Sequence, residues 1–117
     1  MTEATGSRVG ARALIEDERN ELLLSAASSW EIALKWSIGK LDLPERPDRY
    51  VPARLAASAT SGLAVSHAHA LAVADLPRHH ADPFDRLLVA QARAEGLTLI
   101  TADRALGPYD VDKVWAG

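Results

Sequence analysis

The residue order predicts an α/β sandwich whose strands pair in parallel. Three observations carry this expectation. Short continuous apolar runs of strand length occur at Leu22–Ser25 and Leu97–Thr101, helical apolar periodicity lies between them, and Gly39, Gly62, Pro77 and Gly96 punctuate the two kinds of segment. Strands that alternate with helices pair in parallel, because each helix returns the chain to the edge it left. At 117 residues the chain fits one domain, 1–117, with a single core.

Residues 1–6 are polar and lack periodicity, so they are expected to be disordered. From Ser7, the spacing of Val9, Ala13 and Leu14, followed by charged Glu16 to Arg19, predicts a short helix with Ser7 as its cap. Leu22–Ser25 reads as a buried parallel strand. Trp30, Ala33, Leu34 and Ile38 recur at helical spacing, so a helix is expected over Ser28–Ile38 with Gly39 as its stop. Asp48 is expected to cap a second helix reaching about Ser61, ended by Gly62; Pro52 fits only near its first turn. A strand is expected at Leu63–Val65 and a third helix from His67 to Asp75, ended by Leu76-Pro77. After a polar loop, Arg78 to Ala81, the pair Asp82-Pro83 sets a capping Asp before a Pro at the first helical position. That helix carries Leu87, Leu88, Ala90, Gln91 and Ala94 and ends at Gly96. Leu97–Thr101 is the next strand, 102–106 a loop or short turn, and Asp112–Trp115 the last strand.

Composition removes several classes of chemistry. Without Cys there is no disulfide framework, zinc–thiolate site or thiol nucleophile. Thirteen Lys and Arg against sixteen Asp and Glu give a net charge of −3, which argues against coating nucleic acid by bulk positive charge. An enzyme that reaches nucleic acid through metal ions at an acidic site remains open. The most apolar stretch, Leu63–Leu76, is interrupted by Ser66, His67, His69 and Asp75, so no membrane span is expected. The first residues lack the apolar core of a secretory signal, and a cytoplasmic location is expected. No G-x-S-x-G elbow or Gly-rich phosphate loop is present, and neither His67/His69 nor His79/His80 has the i, i+4 spacing of a helical zinc site.

In open parallel sheets, ligands collect beyond the carboxyl ends of the strands. Glu31 follows the first strand, Asp82 and Asp85 open the helix after the His-His loop, and Asp103 follows the strand ending at Thr101. Carboxylates brought together take up protons unless a cation holds them. Mg2+ or Mn2+ meets that need, and such a site hydrolyses phosphodiesters. Plainer readings stand beside this one. Ser28 to Glu31 forms an S-x-x-E capping box, and Lys35 can pair with Glu31 one turn on. Asp82 reads as a cap, Asp85 as a partner of the helix dipole, and Asp103 as part of a turn. His79 and His80 read as loop residues bordering the acids.

Three runs together resemble the PIN-domain toxins of the VapC type. The first spans Leu24 to Lys35 with Gly39 to Pro44, the second His79 to Ala92 around Asp82-Pro83-Phe84-Asp85-Arg86, and the third Leu99 to Asp103. The resemblance extends from about Ser7 to the C-terminus. It implies a three-layer α/β/α sandwich with a mainly parallel sheet and a Mg2+- or Mn2+-dependent endoribonuclease. It further implies an RNA substrate, a VapB-like antitoxin as partner and a homodimer. By position, Glu31, Asp85 and Asp103 match the family's metal-binding and catalytic acids, while Arg86 and Arg104 are placed to touch phosphate. The family's opening strand, which bears a further acid and lies centrally in the sheet, has no match before Ser7. The neighbours of that strand are therefore expected to expose their edges, and the chain to pair there with another chain or be poorly stable. The alternative function is a PIN-like module that binds an antitoxin without cleaving RNA.

Overall fold

A computed structural model describes residues 17, 19–101 and 103–116. The disorder expected of residues 1–6 and the helix expected from Ser7 fall on residues almost wholly outside this range. Strand β1 (Leu22–Ser25) runs directly into helix α1 (Ala26–Ser37). Ser25 is fully buried and joins the two, its hydroxyl accepting the Ala27 N–H at 3.1 Å. An N-cap oxygen satisfies a donor that has no partner inside the helix. The cap is therefore Ser25 and not Ser28, and the expected S-x-x-E box does not form. Ser28 lies inside the first turn and Glu31 in the second. Gly39 stops the helix as expected, at φ 75°, with Lys40 N–H returning to the Lys35 carbonyl at 2.8 Å.

Helix α2 (Pro47–Ala57) starts one residue before the expected cap, with Arg46 at the N-cap and Pro47 in the first turn. Asp48 sits in that turn, where a carboxylate complements the helix dipole. Pro52 lies in the interior and removes one backbone donor. No residue of α2 is buried. The helix ends four residues short of Ser61, where Ser58 Oγ donates to the Arg54 carbonyl at 2.7 Å and Ala59 takes φ 51°. This turn releases β2 (Thr60–Leu63) to pair with β1, so Gly62 lies within a strand, and the strand falls earlier than expected.

Helix α3 (His67–Ala72) continues into a 3-10 turn, Val73–Asp75, over the expected range. Its capping box uses a histidine. Ser66 Oγ accepts the His69 N–H at 3.1 Å, and Ser66 N–H donates to His69 Nδ1 at 3.0 Å. Since Nδ1 accepts, the ring proton sits on Nε2 and donates to Glu95 Oε1 at 2.6 Å. The Gln91 amide lies 3.2 Å from the same Nδ1 and donates to the Ala64 carbonyl at 3.1 Å.

Helix α4 (Pro83–Glu95) has the expected ends, Asp82 as cap and Gly96 in the left-handed region at φ 66°. Leu88 to Ala92 are all buried, so the helix is enclosed for more than one turn. It packs on α1, on α3 and on β3 (Leu99–Thr101). Leu97 and Thr98 precede the ladder instead of joining it, because Leu97 N–H closes the end of α4 on the Ala92 carbonyl. A 3-10 turn, Arg104–Leu106, leads to β4 (Lys113–Trp115). The core gathers Val89, Ala92, Leu99, Leu106 and Tyr109 around α4.

Both strand pairings are parallel, as expected. Among the described residues the strands form two separate ladders, β1 with β2 and β3 with β4. Each strand thus has one paired and one unpaired edge. No described helix is long and apolar enough to cross a membrane.

Two outcomes follow for stability. Amides of Leu88 to Ala92 should exchange with solvent only on global unfolding, while α2, without a buried residue, should open locally and exchange at least ~100-fold faster. Comparable protection in the two helices would contradict this packing. In urea melts, His69→Ala should lose about 1–3 kcal/mol, since it takes an acceptor from the buried Gln91 amide and breaks the capping box at Ser66.

Candidate metal centre

The position of Asp85 follows from the start of α4. Asp82 Oδ1 accepts the N–H groups of Phe84 and Asp85 at 2.9 and 3.2 Å, so Asp82 is the cap that the sequence indicates. Asp85 is then the third residue of the helix, with its side chain 19% exposed. Its Oδ2 lies 2.8 Å from His80 Nε2. Asp103 follows β3 and caps the 3-10 turn, with Oδ1 accepting the Ala105 N–H at 2.9 Å. One donor atom each from His80, Asp85 and Asp103 lies within 4.8 Å of the others.

The electrostatics of this group are those of a site short of positive charge. Burial pushes the Asp85 carboxyl above the usual carboxylate range, against the opposing hydrogen bond from His80, and the Asp82 and Asp103 charges push the same way as burial. Two carboxylates and an imidazole are a donor set that a divalent cation fits.

Glu31 lies outside this group. Its Oε2 is 3.1 Å from Lys35 Nζ, the partner that helical spacing allows. The Glu31 carboxylate raises the Lys35 ammonium above its ordinary value, with smaller contributions from Asp82 and Asp85. Lys35 is therefore a resident positive charge that feels Glu31 most strongly and Asp82 and Asp85 less. Glu31 lies in the second turn of α1, because the helix starts at Ala26. Trp30, its neighbour, stacks against Phe84 with ring centroids 4.7 Å apart and ties α1 to the start of α4.

The two arginines differ in their surroundings. Arg86 does not face a phosphate site. Its Nη1 donates to the Pro77 carbonyl at 3.0 Å and to Tyr109 Oη at 3.2 Å, and its Nη2 to the Val73 carbonyl at 3.3 Å. The guanidinium thus clamps the 3-10 turn at Val73, the loop at Pro77 and the Tyr109 hydroxyl together. Arg104 is exposed beside Asp103 and stacks on the Trp115 ring, 4.2 Å from its centroid.

Sequence reasoning did not count His80 as a donor. It borders the acids, as expected of the loop, and points into them. The available signal was its place two residues before the capping Asp82. Buried Tyr109, whose Oη donates to the His80 carbonyl at 3.4 Å, carried no signal in its turn sequence.

Comparison with known proteins bears on the same residues. A family model described as PIN domain matches residues 5–112. The chain is 53% identical over 58 residues to Ribonuclease VapC16 of Mycobacterium tuberculosis (strain ATCC 25618 / H37Rv), a match covering 50% of this chain and 41% of that protein. The chain thus aligns with less than half the length of that relative. No solved structure gives a significant match.

The raised Asp85 carboxyl has a signed consequence. The folded chain holds this proton more tightly than the unfolded chain does. The contribution of Asp85 to stability therefore falls as pH rises from the ordinary value of 3.8 through the folded value, and the full cost is present above both. In EDTA, Asp85→Asn should raise the melting temperature at neutral pH, with a gain that fades as pH drops towards 3.8. A variant that melts lower than the wild type at neutral pH would contradict the assignment.

Proposed function

The chain belongs to the PIN-domain family, and from that membership we propose that it is a VapC-like endoribonuclease dependent on Mg2+ or Mn2+. The observation that carries the reading is the convergence of His80, Asp85 and Asp103 where β3 ends and α4 begins. This is where parallel α/β folds place ligands. With a net charge of −3, the chain cannot gather RNA by bulk attraction, so a local cation has to meet the phosphate.

A divalent ion bound there supplies a hydroxide-like water and neutralises charge at the scissile phosphodiester. Asp85 and Asp103 hold it, fixed respectively by the cap of α4 and by the turn after β3. Glu31, paired here with Lys35, would be the third acid that the family resemblance implies. Arg104, exposed beside Asp103, meets a flanking phosphate by leaving the Trp115 face. Arg86 holds the loop that carries His80. The biological reading that accompanies this chemistry is a cytoplasmic toxin of a toxin–antitoxin system, one PIN-like domain over 1–117. It acts on RNA as a homodimer and is neutralised by a VapB-like antitoxin.

A second reading draws on the separation of Glu31 from the other two acids. In it, the chain is a PIN-like module that binds the antitoxin and does not cleave. Cleavage of single-stranded RNA separates the two. The nuclease should need Mg2+ or Mn2+, stop in EDTA, and lose about 10²–10³ in kcat with Asp85→Asn or Asp103→Asn. Full activity in both variants would reject the site. A folded chain that binds antitoxin but leaves RNA intact in either ion would establish the second reading.

A further inference from the structure

His80 is the member of the acidic site that all-oxygen coordination does not explain. The two buried or half-buried histidines of the fold differ in what their rings do. His69 spends Nδ1 on the Ser66 backbone and Nε2 on Glu95, which is a structural role. His80 instead presents Nε2 to Asp85 Oδ2 at 2.8 Å, inside a group whose third donor belongs to Asp103.

The loop that carries His80 is held from beneath. Arg86 Nη1 bonds both the Pro77 carbonyl and Tyr109 Oη, and that hydroxyl donates to the His80 carbonyl at 3.4 Å. Tyr109 is 2% exposed, and the neighbouring His79 ring sets its edge against it, 5.1 Å between centroids. The imidazole is thus delivered to the acids by a buried support and does not swing on a surface loop.

We propose that His80 supplies a nitrogen ligand to the cation held by Asp85 and Asp103, and that this makes the site prefer Mn2+ to Mg2+. The proposal rests on the metal-dependent reading above and adds to it the ligand type and the ion preference. The 4.8 Å spread of the donor atoms is a little over twice a metal–oxygen bond of about 2.1 Å, so small side-chain rotations close it on one ion. Mg2+ is hard, prefers oxygen and is bound through carboxylates and waters. Imidazole suits the first-row transition ions better. Replacing one oxygen by a ring nitrogen therefore costs Mg2+ more than Mn2+. A histidine that merely orients Asp85 from outside the coordination sphere would leave the ion preference unchanged.

The test uses the full chain freed of metal with EDTA and no RNA. MnCl2 and MgCl2 are titrated by calorimetry, and pulsed EPR is recorded on the Mn2+ complex of the wild type, His80→Ala and His80→Gln. The wild type should show nitrogen coupling from a directly bound imidazole, absent in both variants. The ratio of Mn2+ to Mg2+ affinity should fall at least about ten-fold in both variants. The wild-type spectrum needs no variant to fold. One-to-one Mn2+ binding without nitrogen coupling, or coupling that persists in both variants, overturns the proposal, as does an unchanged affinity ratio. If nitrogen coupling is absent while Mg2+-dependent RNA cleavage remains, His80 is excluded as a ligand and the nuclease reading stands. If neither ion binds, both fall.

Discussion

The enclosure of α4 governs the rest of the molecule. Leu88 to Ala92 are buried in succession, with Val89 and Ala92 at 0% exposure. Close-packed surroundings prevent that helix from sliding or rotating without opening the core. Its start is pinned separately, by the two backbone donors that Asp82 accepts. With axis and origin both fixed, the third helical residue can point in only one direction. That residue is Asp85. The core therefore displays Asp85, and His80 and Asp103 reach it from the neighbouring loop and turn.

The same helix secures its neighbours through a polar contact instead of an apolar one. Gln91, fully buried, reaches from α4 to the Ala64 carbonyl just beyond β2 and to the capping histidine of α3. A buried network of this kind is worth keeping only when its members are nearly all paired. Here Gln91 Oε1 is the exception, buried without a partner among the described residues. That cost is tolerated because the amide nitrogen joins elements that apolar packing alone would leave free to slide. The β1–β2 ladder, which among the described residues shares no strand with β3–β4, is thereby tied to the helix that carries the site.

How much of this was readable in the sequence depended on whether a local signal had rivals. Asp82-Pro83, Gly39 and Gly96 stand alone in their segments, and each ends or begins a helix where expected. Three serines, Ser25, Ser28 and Ser29, compete to cap α1, and burial of Ser25 at the end of β1 decides among them. Pattern alone cannot see that burial. Gly62 resembles a helix stop, yet the turn at Ala59 and the pairing with β1 come first. The family signature singled out Asp85 and Asp103, whose carboxylates the structure brings near each other and near His80. The Glu31–Lys35 pair was legible in the helical spacing, whereas nothing in the signature shows that Arg86 is taken up by three acceptors.

The charges around the site are unequal in how firmly they are held, and this decides what the site can do. Lys35 and Glu31 form an exposed pair, 51% and 25% accessible, at a spacing where such pairs contribute little. A doubly charged ion beside Asp85 would outbid a single ammonium for Glu31 at small cost. Arg104 rests on an aromatic face and is likewise open to exchange for a phosphate. Arg86 is different in kind, since its partners are carbonyls and a buried phenol whose own bonding depends on it. Removing it leaves those acceptors unpaired, which costs more than losing a surface ion pair. Lys35 and Arg104 are thus loosely held, whereas Arg86, and with it the loop that presents His80, is fixed by several bonds.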